Sequence, residues 1–121
     1  MTKDDIRQCV REHAEAAKRS IKAGFDGTEV TSFMGYLLAT FNSRFTNQRT
    51  DEYGGSIDNR GRFMRELIDG MKQATPDHPL IIRLNGAELM DNWGGNDEDE
   101  CFELMQQAVD CGVDMISVTV G

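Results

Sequence analysis

Between residues 4 and 23, apolar side chains recur every three or four positions, at Ile6, Val10, Ala14, Ala17 and Ile21, with charged residues in the gaps. A stripe of that period buries one face of a helix. Gly24 follows it, and glycine ends helices because it reaches positive φ without a Cβ clash. The pattern then changes to the run 28–33, Thr-Glu-Val-Thr-Ser-Phe, which predicts a short strand. Residues 35–55 keep no period and are rich in Asn, Thr, Arg and Gly, so a long functional loop or lid is expected there. Ser56 or Asp58 can cap the next helix, whose stripe is Phe63, Met64, Leu67, Ile68 and Met71. Pro76 and Pro79 break it, and the apolar run 80–84 predicts a second strand. A Gly-containing loop from Gly86 to Gly95 leads to Asn96 as the expected cap of a third helix. The acidic residues 97–100 suit the first turn of that helix, where its dipole favours negative charge. Its stripe is Phe102, Leu104, Met105, Ala108 and Val109, and it stops at Gly112 before a strand over 115–120.

Ala23-Gly24-Phe25-Asp26 before the first strand is echoed by Cys111-Gly112-Val113-Asp114 before the third. Repeated helix–strand units imply parallel strands joined by right-handed crossovers, an α/β fold. Alternation along the strands places Ile82, Leu84, Ile116, Val118 and Val120 on a face that helices can cover. The other face carries Glu29, Thr31, Ile81, Arg83, Ser117 and Thr119. That polarity is foreign to a doubly wound sheet, which is apolar on both faces. It suits the interior of a (β/α)8 barrel near the end where strands supply the chemistry. A barrel closes with eight units, and this chain predicts three.

At 121 residues the chain has the length of one small domain. Its 13 Lys and Arg against 21 Asp and Glu give a net charge of −8, which argues against a nucleic-acid partner. No apolar run has the length of a membrane span, and the charged start of the chain lacks the apolar core of a secretory signal. Three separated cysteines, Cys9, Cys101 and Cys111, predict reduced thiols and a cytoplasmic protein. His13 and His78 have no partner at metal-ligand spacing, and the acidic run at 97–100 lacks the spacing of a calcium loop. A three-strand sheet with open edges predicts self-association, so a homo-oligomer is expected.

The run Asn47-Gln48-Arg49-Thr50-Asp51-Glu52-Tyr53-Gly54-Gly55-Ser56-Ile57-Asp58-Asn59-Arg60, with Gly35-Tyr36-Leu37 before it, resembles the old yellow enzyme family. These are FMN oxidoreductases on a (β/α)8 TIM barrel, and the subgroup most similar holds the 2,4-dienoyl-CoA reductases and trimethylamine dehydrogenase-like enzymes. Ala23–Gly27 and Ile82-Arg83-Leu84 fit in order and spacing. The resemblance implies that residues 1–121 form a single partial barrel, about strands four to six. It implies FMN as cofactor, NADH or NADPH as a possible electron donor, and a small-molecule substrate, such as an unsaturated thioester or an N-methyl amine. Because the family's flavin phosphate is held from other strands, this stretch alone is expected to be inactive and to hold flavin weakly or not at all.

Residue by residue, the resemblance matches Arg83 to the strand arginine beside the flavin's N1–C2=O edge, where a fixed guanidinium stabilises the negative charge of the reduced ring. The plain alternative for Arg83 is a salt bridge inside the barrel, with Glu29 as partner. At the substrate-binding positions, where the family commonly has His-x-x-His or His-x-x-Asn, this chain has Thr31 and Met34. Neither presents an imidazole donor. Tyr36 matches a tyrosine that donates a proton in the dienoyl-CoA reductases; its alternative is a packed aromatic. Arg49, Asp51, Asn59 and Arg60 read as the scaffold of their own loop, and Met64, Met71 and Met105 as core. The reading from another class is a non-catalytic α/β module that assembles through its open sheet.

Overall fold

The computed structural model describes residues 1–120. In chain order it runs α1 (Lys3–Lys22), β1 (Thr28–Ser32), α2 (Leu37–Asn42), α3 (Ile57–Ala74), β2 (Leu80–Ala87), a 3-10 turn (Asp91–Trp93), α4 (Glu98–Asp110) and β3 (Met115–Val120). The strands form one parallel sheet in the order β1-β2-β3. The predicted order of three helix–strand units is therefore present, and the α/β class with it. α1 starts on a capping box between Thr2 and Asp5, and α3 starts on Ser56, whose hydroxyl accepts from the Asn59 N–H.

Three boundaries differ from the sequence reading. The expected loop 35–55 contains α2, a short helix that buries Leu38, Ala39, Phe41 and Asn42. Six residues are too few to display a 3.6-residue period, so the pattern could not reveal it. Asp97, not Asn96, caps α4 and forms a capping box with Glu100. Asn96 is instead buried, because its side chain binds other parts of the chain. β2 runs on to Ala87, with a register shift between Asn85 and Ala87.

The core lies between the helices and one face of the sheet. Phe63, Met64, Leu67 and Ile68 of α3 are fully buried with Ile6 of α1 and Ile82 of β2. Val118 and Val120, expected beneath helices, are 61% and 63% exposed. β3 is an edge strand, and α4 packs on β2 instead. Phe102 and Val109 also face solvent, so the buried stripe of α4 is the narrower set Cys101, Leu104 and Ala108. Burial raises the Cys101 thiol to about 11, and all three cysteines are free.

The loop motif explains its own sequence. Asn47 Nδ2 donates to the carbonyls of Phe41 at 2.6 Å and Tyr53 at 2.7 Å, closing the loop onto α2. Arg49 pairs with Asp51 through Nη2 at 2.5 Å and Nε at 3.0 Å, and the Tyr53 hydroxyl donates to Glu66 at 2.9 Å. A Cβ on Gly54 would meet the Arg49 carbonyl oxygen at 2.2 Å, and Gly55 sits at φ +83. The first contact forbids a side chain and the second disfavours one. Asn59 donates to the Gly54 carbonyl, while the buried Arg60 binds the carbonyls of Asn42 and Gly55 and the Glu100 carboxylate. His13 bonds the Cys9 carbonyl of its own helix and His78 bonds Thr28. Met64 and Met71 are buried, and Met105 packs half-buried against the core.

Candidate functional site

The site grows from strand register. Thr31 of β1 is paired with Arg83 of β2, and Arg83 with Ser117 of β3. Parallel partners point the same way, so the three side chains form one row on the face that no helix covers. One step toward the strand starts, Glu29 is paired with Ile81. Arg83 Nε donates to Ser117 Oγ at 3.0 Å and lies 3.6 Å from the Glu29 carboxylate. Its guanidinium carbon is 5.6 Å from the centre of the Phe33 ring. These contacts hold the head group from three sides. Nη1 and Nη2 make no hydrogen bond among the described residues. The salt bridge with Glu29 is thus present but long, and it leaves most of the guanidinium's donors free.

After β1 the chain turns sharply. The Tyr36 N–H donates to the Phe33 carbonyl at 3.1 Å, closing a four-residue turn whose central residues, Met34 and Gly35, have φ of 50 and 71. Such a conformation is natural for Gly35 and strained for Met34. Phe33 and Tyr36 meet edge to face, 6.0 Å between ring centres. Tyr36 is 60% exposed at the start of α2.

Thr31, Tyr36 and Arg83 line one cleft of about 670 Å³ together with Glu29 and Phe33; it runs round the open edge of β1 to Ala16 of α1 and Leu67 of α3. Met34 does not join them. It lines a separate apolar cleft of about 220 Å³ with Met90 and Glu88, between the segments that follow β1 and β2. Ser117 carries no motif of its own. Its part in the site becomes visible only once β3 is laid in register beside β2. No group of His, Cys, Asp and Glu among the described residues could hold a metal. No described helix is long and apolar enough to cross a membrane.

A parallel sheet with helices on one face, a polar opposite face and an arginine at its centre defines a segment of a (β/α)8 barrel. The family model described as NADH:flavin oxidoreductase / NADH oxidase matches residues 1–120, and the chain belongs to that family, the old yellow enzymes of the loop motif. It is 39% identical over 121 residues to an NADPH dehydrogenase of Bacillus subtilis, covering all of this chain and 35% of that protein. The solved structure of a 2-naphthoyl-CoA reductase complex is similar over the whole chain at a TM-score of 0.94 and 39% identity, this chain covering 18% of it. Histamine dehydrogenase from Rhizobium sp. 4-9 is similar at 0.90 and 36%, again over 100% of this chain and 18% of that one. The chain thus spans between about a fifth and a third of the length of the relatives it matches. Relatives named as NAD(P)H-linked dehydrogenases and flavin oxidoreductases agree with FMN as cofactor and NADH or NADPH as electron donor.

Proposed function

We propose that this chain is the part of a flavin-dependent oxidoreductase that sets Arg83 against the cofactor and Tyr36 against the substrate. The observation that carries the reading is the state of Arg83. Its orientation is fixed by Ser117, Glu29 and Phe33, yet both terminal nitrogens are free to donate on the uncovered face. A fixed cation with free N–H groups fits an electron-rich edge such as that of a flavin ring. When bound, FMN supplies the hydride-transferring centre. The protein's own residues do the rest. Arg83 contributes charge and hydrogen bonds, and Thr31 gives the row a small hydroxyl where no imidazole stands. Tyr36, exposed at the same cleft, holds a proton at Oη for delivery to substrate.

The substrate this arrangement favours is an unsaturated thioester. A tyrosine acid can protonate the carbon that becomes electron-rich, and the likeness to a naphthoyl-CoA reductase supports a thioester. One observation favours a second reading, oxidation of an N-methyl amine. Glu29 and the Phe33–Tyr36 ring pair border the cleft, a setting that receives a cation, and the chain is similar to histamine dehydrogenase. Comparing Tyr36→Phe with Arg83→Ala in the full-length protein tests the assignment: the first should slow turnover with flavin content unchanged, the second should weaken flavin binding.

In this proposal residues 1–121 are one partial barrel, about strands four to six. Both β1 and β3 present open edges. Further strands must pair with them before a flavin site is complete, either from the rest of a barrel or, in a homo-oligomer, from a second copy. The three strands by themselves are inactive, and the reduced thiols accord with a cytoplasmic setting.

A further inference from the structure

Behind the sheet, where β1 ends against α2, two amide oxygens are left unpaired. Asn42 Oδ1 and Asn85 Oδ1 are both sealed from solvent without a hydrogen-bond partner. A buried amide oxygen left unpaired loses its hydration without compensation, so a native structure rarely tolerates two in one place. Both residues line the same small cavity, closed by Ser32, Leu84, Glu88 and Asn96. It gives the centre of a water molecule about 10 Å³ to move in, room for one. Ser32 Oγ, in the same wall, accepts from Asn42 Nδ2 at 3.0 Å, which leaves the serine proton free to turn inward. The neighbouring groups are already occupied. Glu88 Oε2 accepts from Ser43 Oγ and the Asn96 N–H, each at 2.9 Å. Asn96 Nδ2 donates to the Asn42 carbonyl at 3.0 Å.

We propose that this cavity binds one structural water, which donates to Asn42 Oδ1 and Asn85 Oδ1 and accepts from Ser32 Oγ. Three bonds are what a buried water typically makes. The chemistry selects a small neutral molecule with two donors and one acceptor. A further acceptor-only group would leave both amide oxygens unsatisfied. The placement has a consequence for the site. Asn85 lies two residues beyond Arg83, at the register shift of β2, and Asn42 ends α2, which Tyr36 begins. The water therefore ties the strand carrying the arginine to the helix carrying the tyrosine.

A crystal structure of the full-length protein at high resolution tests this. The expected result is a single peak about 2.7–3.2 Å from both Oδ1 atoms, present whichever salt is used for crystallisation. In Asn85→Leu the peak is lost, whereas in Ser32→Ala it stays with two of its bonds. If Asn85→Leu does not fold, the wild-type density decides alone. Wild-type density with no peak and either amide turned to a protein partner would overturn the proposal. So would a peak that appears only in sodium- or ammonium-containing crystals, since that is a cation and not a water.

Discussion

Arg83 donates from Nε to Ser117 Oγ at 3.0 Å across β2 and β3, while its two terminal nitrogens make no hydrogen bond among the described residues. Ser117 is in this sense a positioning residue. Ser117→Ala removes one hydrogen bond, a change of about 1 kcal/mol, and leaves the charge of Arg83 in place. FMN affinity of the full-length protein should fall about fivefold, measured by fluorescence titration. Ser117→Thr, which keeps the hydroxyl, should restore most of it. Equal losses in both variants would show that the hydroxyl does not orient the arginine.

Tyr36 and Arg83 line the same cleft, on either side of a shared contact with the Phe33 ring. A positioned general acid contributes about 10²–10⁴-fold to rate. Tyr36→Phe should slow turnover of an unsaturated thioester by that order in stopped-flow measurements, with flavin content unchanged. Wild-type turnover in Tyr36→Phe would remove the acid role and put the amine reading ahead, since that chemistry needs no phenol proton.

The Arg49–Asp51 pair gives the loop a pH dependence. The Arg49 side chain, bonded to Asp51 through two nitrogens, lowers the Asp51 carboxyl to about 2 from its ordinary 3.8. A carboxyl whose pKa is depressed on folding stabilises the fold above its unfolded pKa. That stability is lost as pH falls through the folded value. The contribution should be complete above about pH 5 and disappear only as pH falls through about 2. For a partly solvated pair it is worth about 1 kcal/mol. Asp51→Asn should flatten the acid limb of the unfolding curve followed by circular dichroism. An unchanged limb would mean that the pair is not formed in solution.

Backbone proximity makes a sharper stability claim at Gly54. An alanine there places Cβ 2.2 Å from the Arg49 carbonyl oxygen, which can yield only if the loop moves. Gly54→Ala should cost about 2 kcal/mol or more, within the range of strongly destabilising single changes. At Gly61 the nearest obstacle is the flexible end of Gln107, at 2.1 Å, and the helix gains propensity, so Gly61→Ala should cost clearly less. Thermal unfolding of the two variants gives the comparison, and equal losses would contradict it.

Much of this was legible in the sequence because the physics was local. The stripe of α3 and the polar strand face follow from side-chain period, and the stops at Gly24 and Gly112 from glycine's access to positive φ. By contrast, α1 buries Ile6 and Ala17 of its stripe and leaves Ile21 exposed. The loop motif was legible as scaffold, since paired charges and amides in a long loop bind their own backbone, as Asn47, Asn59 and Arg60 do. What stayed hidden depends on neighbours distant in sequence. The exposure of Val118 and Val120 follows from β3 being an edge, which no alternation reveals. The pairing of Ser117 with Arg83 needs the register of two strands 34 residues apart. The resemblance pairs Met34 with Thr31 at the substrate-binding positions, while the positive φ at Met34 and Gly35 turns Met34 toward a second cleft. A turn of that hand on a methionine has no signature in the sequence.

The central claim, that Arg83 serves the flavin, is tested most directly by titrating FMN into flavin-stripped full-length protein, wild type against Arg83→Ala. Hydrogen bonds to a charged group are worth about 1.5–3 kcal/mol. The dissociation constant should therefore rise between about ten- and a hundredfold, while circular dichroism of the two proteins coincides. An Arg83→Ala protein that binds FMN as tightly as wild type, and whose bound flavin keeps the wild-type reduction potential, would contradict the account.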